Sequence, residues 1–392
     1  MEEQYPSLGL SDYATQAART ERGVEGQSLS FPLLGLFGET GSLLSELKKK
    51  QRDGSGPAYA AAVAEELGDV LWYLAAIARR GGISLNAVAA HLFEGRSEWT
   101  GGERPELTFE MLQPHPILRA PETATVPDFE KTLLSLADEV GALVRVHLQD
   151  RLAPGDEALG RALSRIMFFL LRASREAGLT LEVAALKNLH KTQDRWPLKR
   201  DHPPAFDALA DRDEQLPRNL EIDIFEKTVG DKEYVFQRCN DLFIGDRLTD
   251  NAHEADDYRF HDVFHLAFVA VLGWSPVIRA LLRLKRKSDS RLDENEDGAR
   301  AILIEEGITT WVFGQARPLR YFDGMKPGEM PLGLLKQVRQ FAAGYEPQDC
   351  PLWVWEDAFL QGYAAFRYLK VHRRGRVFVD FDNRQLRIEP LP

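Results

Sequence analysis

Residues 35–46, Gly35-Leu36-Phe37-Gly38-Glu39-Thr40-Gly41-Ser42-Leu43-Leu44-Ser45-Glu46, and residues 65–74, Glu65-Glu66-Leu67-Gly68-Asp69-Val70-Leu71-Trp72-Tyr73-Leu74, decide how this chain reads. Both sit in stretches with apolar residues at helical spacing. At 3.6 residues per turn Glu39 and Glu46 lie two turns apart on one stripe, and Glu66 and Asp69 lie one turn apart on another. Two such stripes facing each other make a cage of carboxylates. Carboxylates grouped in this way repel and desolvate one another, so they persist where a hard cation compensates, and Mg²⁺ leaves positions for water and substrate phosphates. The pattern points to phosphoanhydride chemistry at a divalent-metal site.

Outward from these stretches, helical periodicity predicts helices over Pro32 to Lys50, Tyr59 to Arg80 and Ser84 to Glu94, then Phe129 to Leu148, Asp156 to Ala177 and Thr180 to Asp194. The second trio resembles the first. Glu39-Thr40-Gly41-Ser42 aligns with Glu139-Val140-Gly141-Ala142, Arg80-Gly81-Gly82-Ile83-Ser84-Leu85 with Glu176-Ala177-Gly178-Leu179-Thr180-Leu181, and Trp99 with Trp196. This is an internal duplication at a period near 100 residues. The second copy keeps Glu139 but has Ala162 and Arg165 near the places of Glu66 and Asp69, so it is not expected to bind the same metal in the same way.

Pro-, Gly- and charge-rich breaks at Gly101 to Val126 and Pro197 to Arg218 divide the chain into segments 1–100, 125–197 and 218–392. The last changes character. Leu220 to Phe225 and Tyr234 to Phe236 read as strands, and Val377 to Phe381 with Leu386 to Ile388 flanks a hairpin turn at Asp382-Asn383. Helices are expected from about Phe260, Arg300, Leu332 and Trp353. The fold expected is mainly α, a tandem all-α unit followed by a smaller α+β domain with a short antiparallel sheet.

The chain has 392 residues and a formal net charge of −11, which argues against broad non-specific binding to nucleic acid. Cys239 and Cys350 are too few for a disulfide framework and too far apart for a zinc motif, which suggests a reducing compartment. The N-terminal residues lack the features of a secretory signal, and no apolar stretch reaches the roughly 20 residues of a membrane span. A soluble, cytoplasmic protein is the expectation.

Residues 35–41 followed by 65–74 resemble the MazG-like branch of the all-α nucleoside triphosphate pyrophosphohydrolases, over roughly residues 10 to 100 and more weakly over the copy to about 197. The resemblance implies Mg²⁺ or Mn²⁺ dependence and hydrolysis of an NTP or dNTP to the monophosphate and pyrophosphate. The family pattern sets acids E-x-x-E on the first helix and E-x-x-D on the second. Glu39, Glu66 and Asp69 match it, but Ser42 stands in the second acidic place, and Glu46, one turn further along, is the candidate replacement. The expected ligands are therefore Glu39, Glu46, Glu66 and Asp69. Glu65 or Glu46 is left to hold or deprotonate the attacking water, and Trp72 and Tyr73 read as core rather than as a base-selecting surface.

A family signature of Asn followed by Lys and Arg resembles Asn188, Lys191 and Arg195, which lie in the second copy. The expected site is composite, with acids from copy one and phosphate contacts from copy two. Related enzymes dimerise, so a fused duplication would reproduce a dimer within one chain; pairing of whole chains into a homo-oligomer is left open. House-cleaning of aberrant nucleotides and nucleotide depletion in antiphage defence are both compatible with the family.

The last segment carries a second constellation: His261, Asp262 and His265, with Glu305 and Glu306 further on. His261 and His265 are spaced i, i+4 as metal ligands on one helix face need to be. The plainer reading makes them packing histidines. Two alternatives to the pyrophosphohydrolase follow: a nucleotide-binding sensor weakened by Ser42 that signals through its C-terminal domain, or a C-terminal His/Glu hydrolase regulated by the N-terminal unit.

Overall fold

A computed structural model describes residues 7–21, 28–54, 58–94, 105–113, 126–149 and 155–391. They form two compact units, Met1–Leu198 and Lys199–Pro392.

The first unit is built from α1 (Leu10–Arg19), α2 (Ser30–Asp53), α3 (Ala58–Arg80), α4 (Leu85–Glu94), α5 (Phe109–Leu112), α6 (Val126–His147), α7 (Glu157–Glu176) and α8 (Leu181–Arg195). The six long helices expected from periodicity all form, with ends shifted by up to three residues. Helix α3 is central: Val63, Leu67, Val70, Leu71, Leu74 and Ile77 are fully buried at helical spacing, and Ala60, Ala61, Ala62 and Ala64 favour the helix intrinsically. One buried cluster runs from Leu10 to Leu189, so both helical segments share a single core.

The two helical segments match in detail. Helix α3 ends with Gly81, Gly82 and Ile83 donating backbone bonds to Ile77, Arg79 and Ala78, and α7 ends with Ala177, Gly178 and Leu179 donating to Ala173, Arg175 and Ser174. Gly82 and Gly178 hold φ of 69° and 76° at these ends, a left-handed turn that glycine adopts without strain. Next, Ser84 Oγ accepts from Ala87 N at 3.0 Å and Thr180 Oγ1 from Val183 N at 3.2 Å, capping α4 and α8 alike. The packing repeats as well: α2 lies on α3 and α6 on α7, while α3 meets α8 as α7 meets α4. Exchanging the two copies maps each contact onto another, the pattern of an internal two-fold. Trp99, aligned by sequence with Trp196, lies outside the described residues.

The second unit runs β1 (Asn219–Val229), β2 (Lys232–Cys239), β3 (Leu242–Leu248), α9 (Asp262–Val271), α10 (Pro276–Leu282), α11 (Ser290–Asn295), α12 (Ala299–Ala316), α13 (Leu332–Phe341), α14 (Leu352–His372), β4 (Arg374–Asp380) and β5 (Gln385–Glu389). Its antiparallel sheet has the order β3-β2-β1-β4-β5. Helix α9 is buried along its whole length and packs against α14, β4 and β5. Among the described residues no single helix is long and apolar enough to cross a membrane.

Helices α1, α5, α10 and α11 add to those expected, and two further features differ from expectation. Strand β3 escapes a reading by burial alternation because it lies at the sheet edge and is largely exposed. The segment from Lys199 to Arg218, which looks like a linker, belongs to the second unit. Asp207, fully buried, ties it down by accepting from Leu216 N and Arg218 at 2.7 Å and from Arg279 of α10 at 2.7 Å.

Candidate functional site

Three helices meet at the acidic stretches. Glu39 projects from α2, Glu65, Glu66 and Asp69 from α3, and Asn188 and Lys191 from α8. Carboxylate oxygens of Glu39, Glu66 and Asp69 lie within 4.8 Å of one another. Asn188 Nδ2 donates to Asp69 Oδ1 at 2.7 Å, and Lys191 Nζ bonds both oxygens of Asp69 and reaches Glu65 Oε1 at 3.3 Å. Acids of α2 and α3 and polar residues of α8 thus come together.

Two glycines make the approach. A Cβ on Gly68 would lie 2.5 Å from the Ala184 carbonyl oxygen and 2.9 Å from Asn188 Cβ, so the bare backbone of α3 lets α8 settle beside Asp69. A Cβ on Gly35 would lie 2.1 Å from the Tyr73 ring, which fills the gap between α2 and α3. At the crossing of α7 and α4, Ser164 Oγ donates to Val88 O at 2.8 Å, where Gly68 meets Ala184 O in the first copy.

One lysine faces four acids. Burial, then the charges of Asp69, Glu39 and Glu65, push the Glu66 carboxyl up to about 7, with Lys191 opposing. Burial and Asp69 also raise Glu39, against hydrogen bonds from Glu66 and Ser42. Ser42, in the family's second acidic place, bonds to Glu39 and adds no charge.

The other expected residues fall as follows. Glu46 stands outside the converging group and pairs with Lys49. Arg195 is buried, with its guanidinium over the Trp196 ring at 5.0 Å. Trp72 and Tyr73 pack against the core, Trp72 donating to Thr20 Oγ1 at 3.1 Å. Sequence reasoning passed over Tyr13 of α1, whose fully buried phenol is raised well above its ordinary range by burial and by the charge of Asp69. No motif marked it, because in the sequence it is one apolar-stripe position among several.

In the second unit the structure gathers the other constellation. His261, His265 and Glu306 offer ligand atoms within 4.8 Å of one another. His265 Nδ1 and Glu305 Oε1 are 2.8 Å apart, and Asp262 Oδ1 lies 3.1 Å from His261 Nε2. Burial alone would lower the His265 imidazole; Glu305 and Glu306 outweigh it and hold it well above the ordinary value. Gln237 of β2, unmarked in the sequence, donates to Asp262.

Comparison with known proteins agrees with this division. Residues 27–96 match the MazG nucleotide pyrophosphohydrolase domain, and residues 201–392 match the MazG C-terminal domain. No curated protein and no solved structure matches the chain. The MazG match covers α2, α3 and α4 and so contains Glu39, Glu66 and Asp69, and it supports nucleotide pyrophosphohydrolysis as the general activity. With the acidic helices in one matched region and the five-stranded sheet in the other, the chain belongs to the MazG-like family.

Proposed function

We propose that the chain hydrolyses a nucleoside or deoxynucleoside triphosphate to the monophosphate and pyrophosphate, with Glu39, Glu66 and Asp69 holding Mg²⁺ or Mn²⁺. The observation that carries this reading is the convergence of three carboxylates from two helices within 4.8 Å, closed by Asn188 and Lys191 of the duplicated half. The residues fit such an ion. All three donors are hard oxygens, and the single charge of Lys191 leaves the group short of positive charge, as the raised Glu66 carboxyl attests. When bound, the ion supplies neutralisation of phosphate oxygens and acidification of water.

The remaining work falls to side chains of the chain. Lys191 is its own cation for a phosphate oxygen, reached by exchange from Asp69. Asn188 holds Asp69 in orientation through its amide, and Ser42 does the same for Glu39. Glu65, part-exposed and beside the converging group, is better placed than Glu46 to orient water and accept its proton. The water oxygen bonds to phosphorus at the α–β linkage, the bond to the bridging oxygen breaks, and pyrophosphate leaves with the electron pair.

The sensor reading draws on Ser42, which gives the first helix one acid where the family pattern has two. Chromatographic separation of products from NTPs and dNTPs with Mg²⁺ or Mn²⁺ tests both. Monophosphate plus pyrophosphate supports hydrolysis; saturable binding without turnover supports the sensor.

A further inference from the structure

The second unit contains a polar group that hydrolysis in the first unit does not use. His261 immediately precedes α9 and His265 lies one turn along it, facing Glu305 and Glu306 of α12. His265 and Glu305 are fully buried, while the Glu306 side chain is 37% exposed, so the group opens to solvent on the Glu306 side.

The hydrogen bonds fix which ring nitrogens are available. His261 Nδ1 lies 2.9 Å from the Tyr258 carbonyl oxygen, which can only accept, so this nitrogen carries the proton. The Tyr258 ring stacks on the same imidazole at 4.4 Å and 4°, holding its plane. His265 Nδ1 faces Glu305 Oε1 at 2.8 Å. That carboxylate also accepts from Ser275 Oγ at 2.7 Å and Val277 N at 2.8 Å, so it is an acceptor toward His265 as well. Both imidazoles are thus anchored through Nδ1 and turn Nε2 to one place.

In its neutral form each ring presents an Nε2 lone pair at that place. His265 Nε2 is buried without a hydrogen-bond partner, and its nearest carboxylate, Glu306 Oε1, is 3.6 Å away. His261 Nε2 faces Glu306 Oε2 at 4.0 Å and Asp262 Oδ1 at 3.1 Å. Among the described residues no lysine or arginine pairs with Asp262, Glu305 or Glu306. Two Nε2 atoms and the Glu306 carboxylate converging on one place, with no lysine or arginine beside them among the described residues, are a donor set that a cation can join in place of a proton on His265.

We infer that His261 Nε2, His265 Nε2 and a Glu306 oxygen bind a divalent first-row transition ion, with Glu305 and the Tyr258 carbonyl as the outer partners that orient the two rings. Two imidazoles and one carboxylate select such an ion over Mg²⁺ and leave coordination positions for water or a ligand oxygen. A buried carboxylate fixing the far nitrogen of a ligating histidine is the usual support of such sites.

Co²⁺ is the probe, titrated into chelator-treated full-length protein carrying Glu66→Gln so that the acidic group of the first unit does not contribute. One Co²⁺ per chain with visible d–d absorption, displaced by Zn²⁺, is expected. Glu305→Gln, a change at a positioning residue, weakens binding roughly 10–100-fold and shifts the band, and Glu306→Gln weakens it further. Glu306→Gln keeps a part-exposed side chain of the same size, and an unchanged melting temperature shows the fold intact. Absence of Co²⁺ absorption, or a band and affinity unaltered by Glu306→Gln, overturns the inference and leaves His265 as a protonated partner of Glu305 and Glu306. Neither result bears on hydrolysis at Glu39, Glu66 and Asp69.

Discussion

Arg165 Nε lies 2.7 Å from Glu139 Oε2, and the pair occupies in the second copy the places that Asp69 and Glu39 hold in the first. The duplicated half thereby satisfies its remaining acid internally, with a surface ion pair in place of a carboxylate cage. Such a pair contributes about 0–1 kcal/mol. Arg165→Ala is therefore expected to leave turnover within about twofold of the unsubstituted protein and to shift stability by less than about 1 kcal/mol. A loss of activity comparable to that of Glu66→Gln would place chemistry in the second copy.

Gly68→Ala is expected to push α8 away from α3. The added Cβ meets a backbone oxygen at 2.5 Å, and overpacking of this kind costs about 1–3 kcal/mol. Gly38→Ala, with nothing within 4 Å, is expected to be neutral or to stabilise α2 by up to about 1 kcal/mol. Melting temperatures of the two variants check the contrast, and activity lost in Gly68→Ala but kept in Gly38→Ala ties the function to the α3–α8 approach.

The Glu66 carboxyl gives a pH dependence with a defined sign. Its value rises on folding from 4.5 to about 7, so between these limits the folded chain holds a proton that the unfolded chain has released. Stability of the metal-free protein should therefore fall as pH rises from about 4.5 to about 7, and Glu66→Gln should remove that fall. A divalent ion competes with the same proton, so Mg²⁺ or Mn²⁺ affinity should climb through this window. Thermal melts with and without metal across pH check both. Affinity that is flat with pH would contradict the assignment of Glu66 as a ligand.

Asp207→Ala leaves the buried Arg279 without this partner, and breaking a buried pair costs about 3–5 kcal/mol. Urea unfolding should show the second unit weakened by that order. A change within about 0.5 kcal/mol, typical of an exposed linker position, would contradict the packing of residues 199–218 into this unit.

Much of this was legible in the sequence for local reasons. The long helices announce themselves by 3.6-residue periodicity, and Glu39, Glu66 and Asp69 are legible because they stand where the MazG-like pattern has its acids, with Glu66 and Asp69 one turn apart on one helix face. What the sequence withheld depends on neighbours far along the chain. Asn188, Lys191 and Arg195 share one stripe of α8, yet only the packing distinguishes Lys191 on Asp69 from Arg195 buried against Trp196. Glu46 fits the acidic stripe by spacing, and its pairing with Lys49 becomes clear only in three dimensions. Residues 199–218 read as a linker because proline and charge dominate them, while Asp207 finds one of its counter-charges 72 positions away at Arg279.

The most direct test of the central claim is chromatography of a triphosphate incubated with the purified protein and Mg²⁺, beside the Glu66→Gln variant. The account predicts stoichiometric monophosphate and pyrophosphate from the unsubstituted protein and none above background from Glu66→Gln. Equal product from both would contradict it.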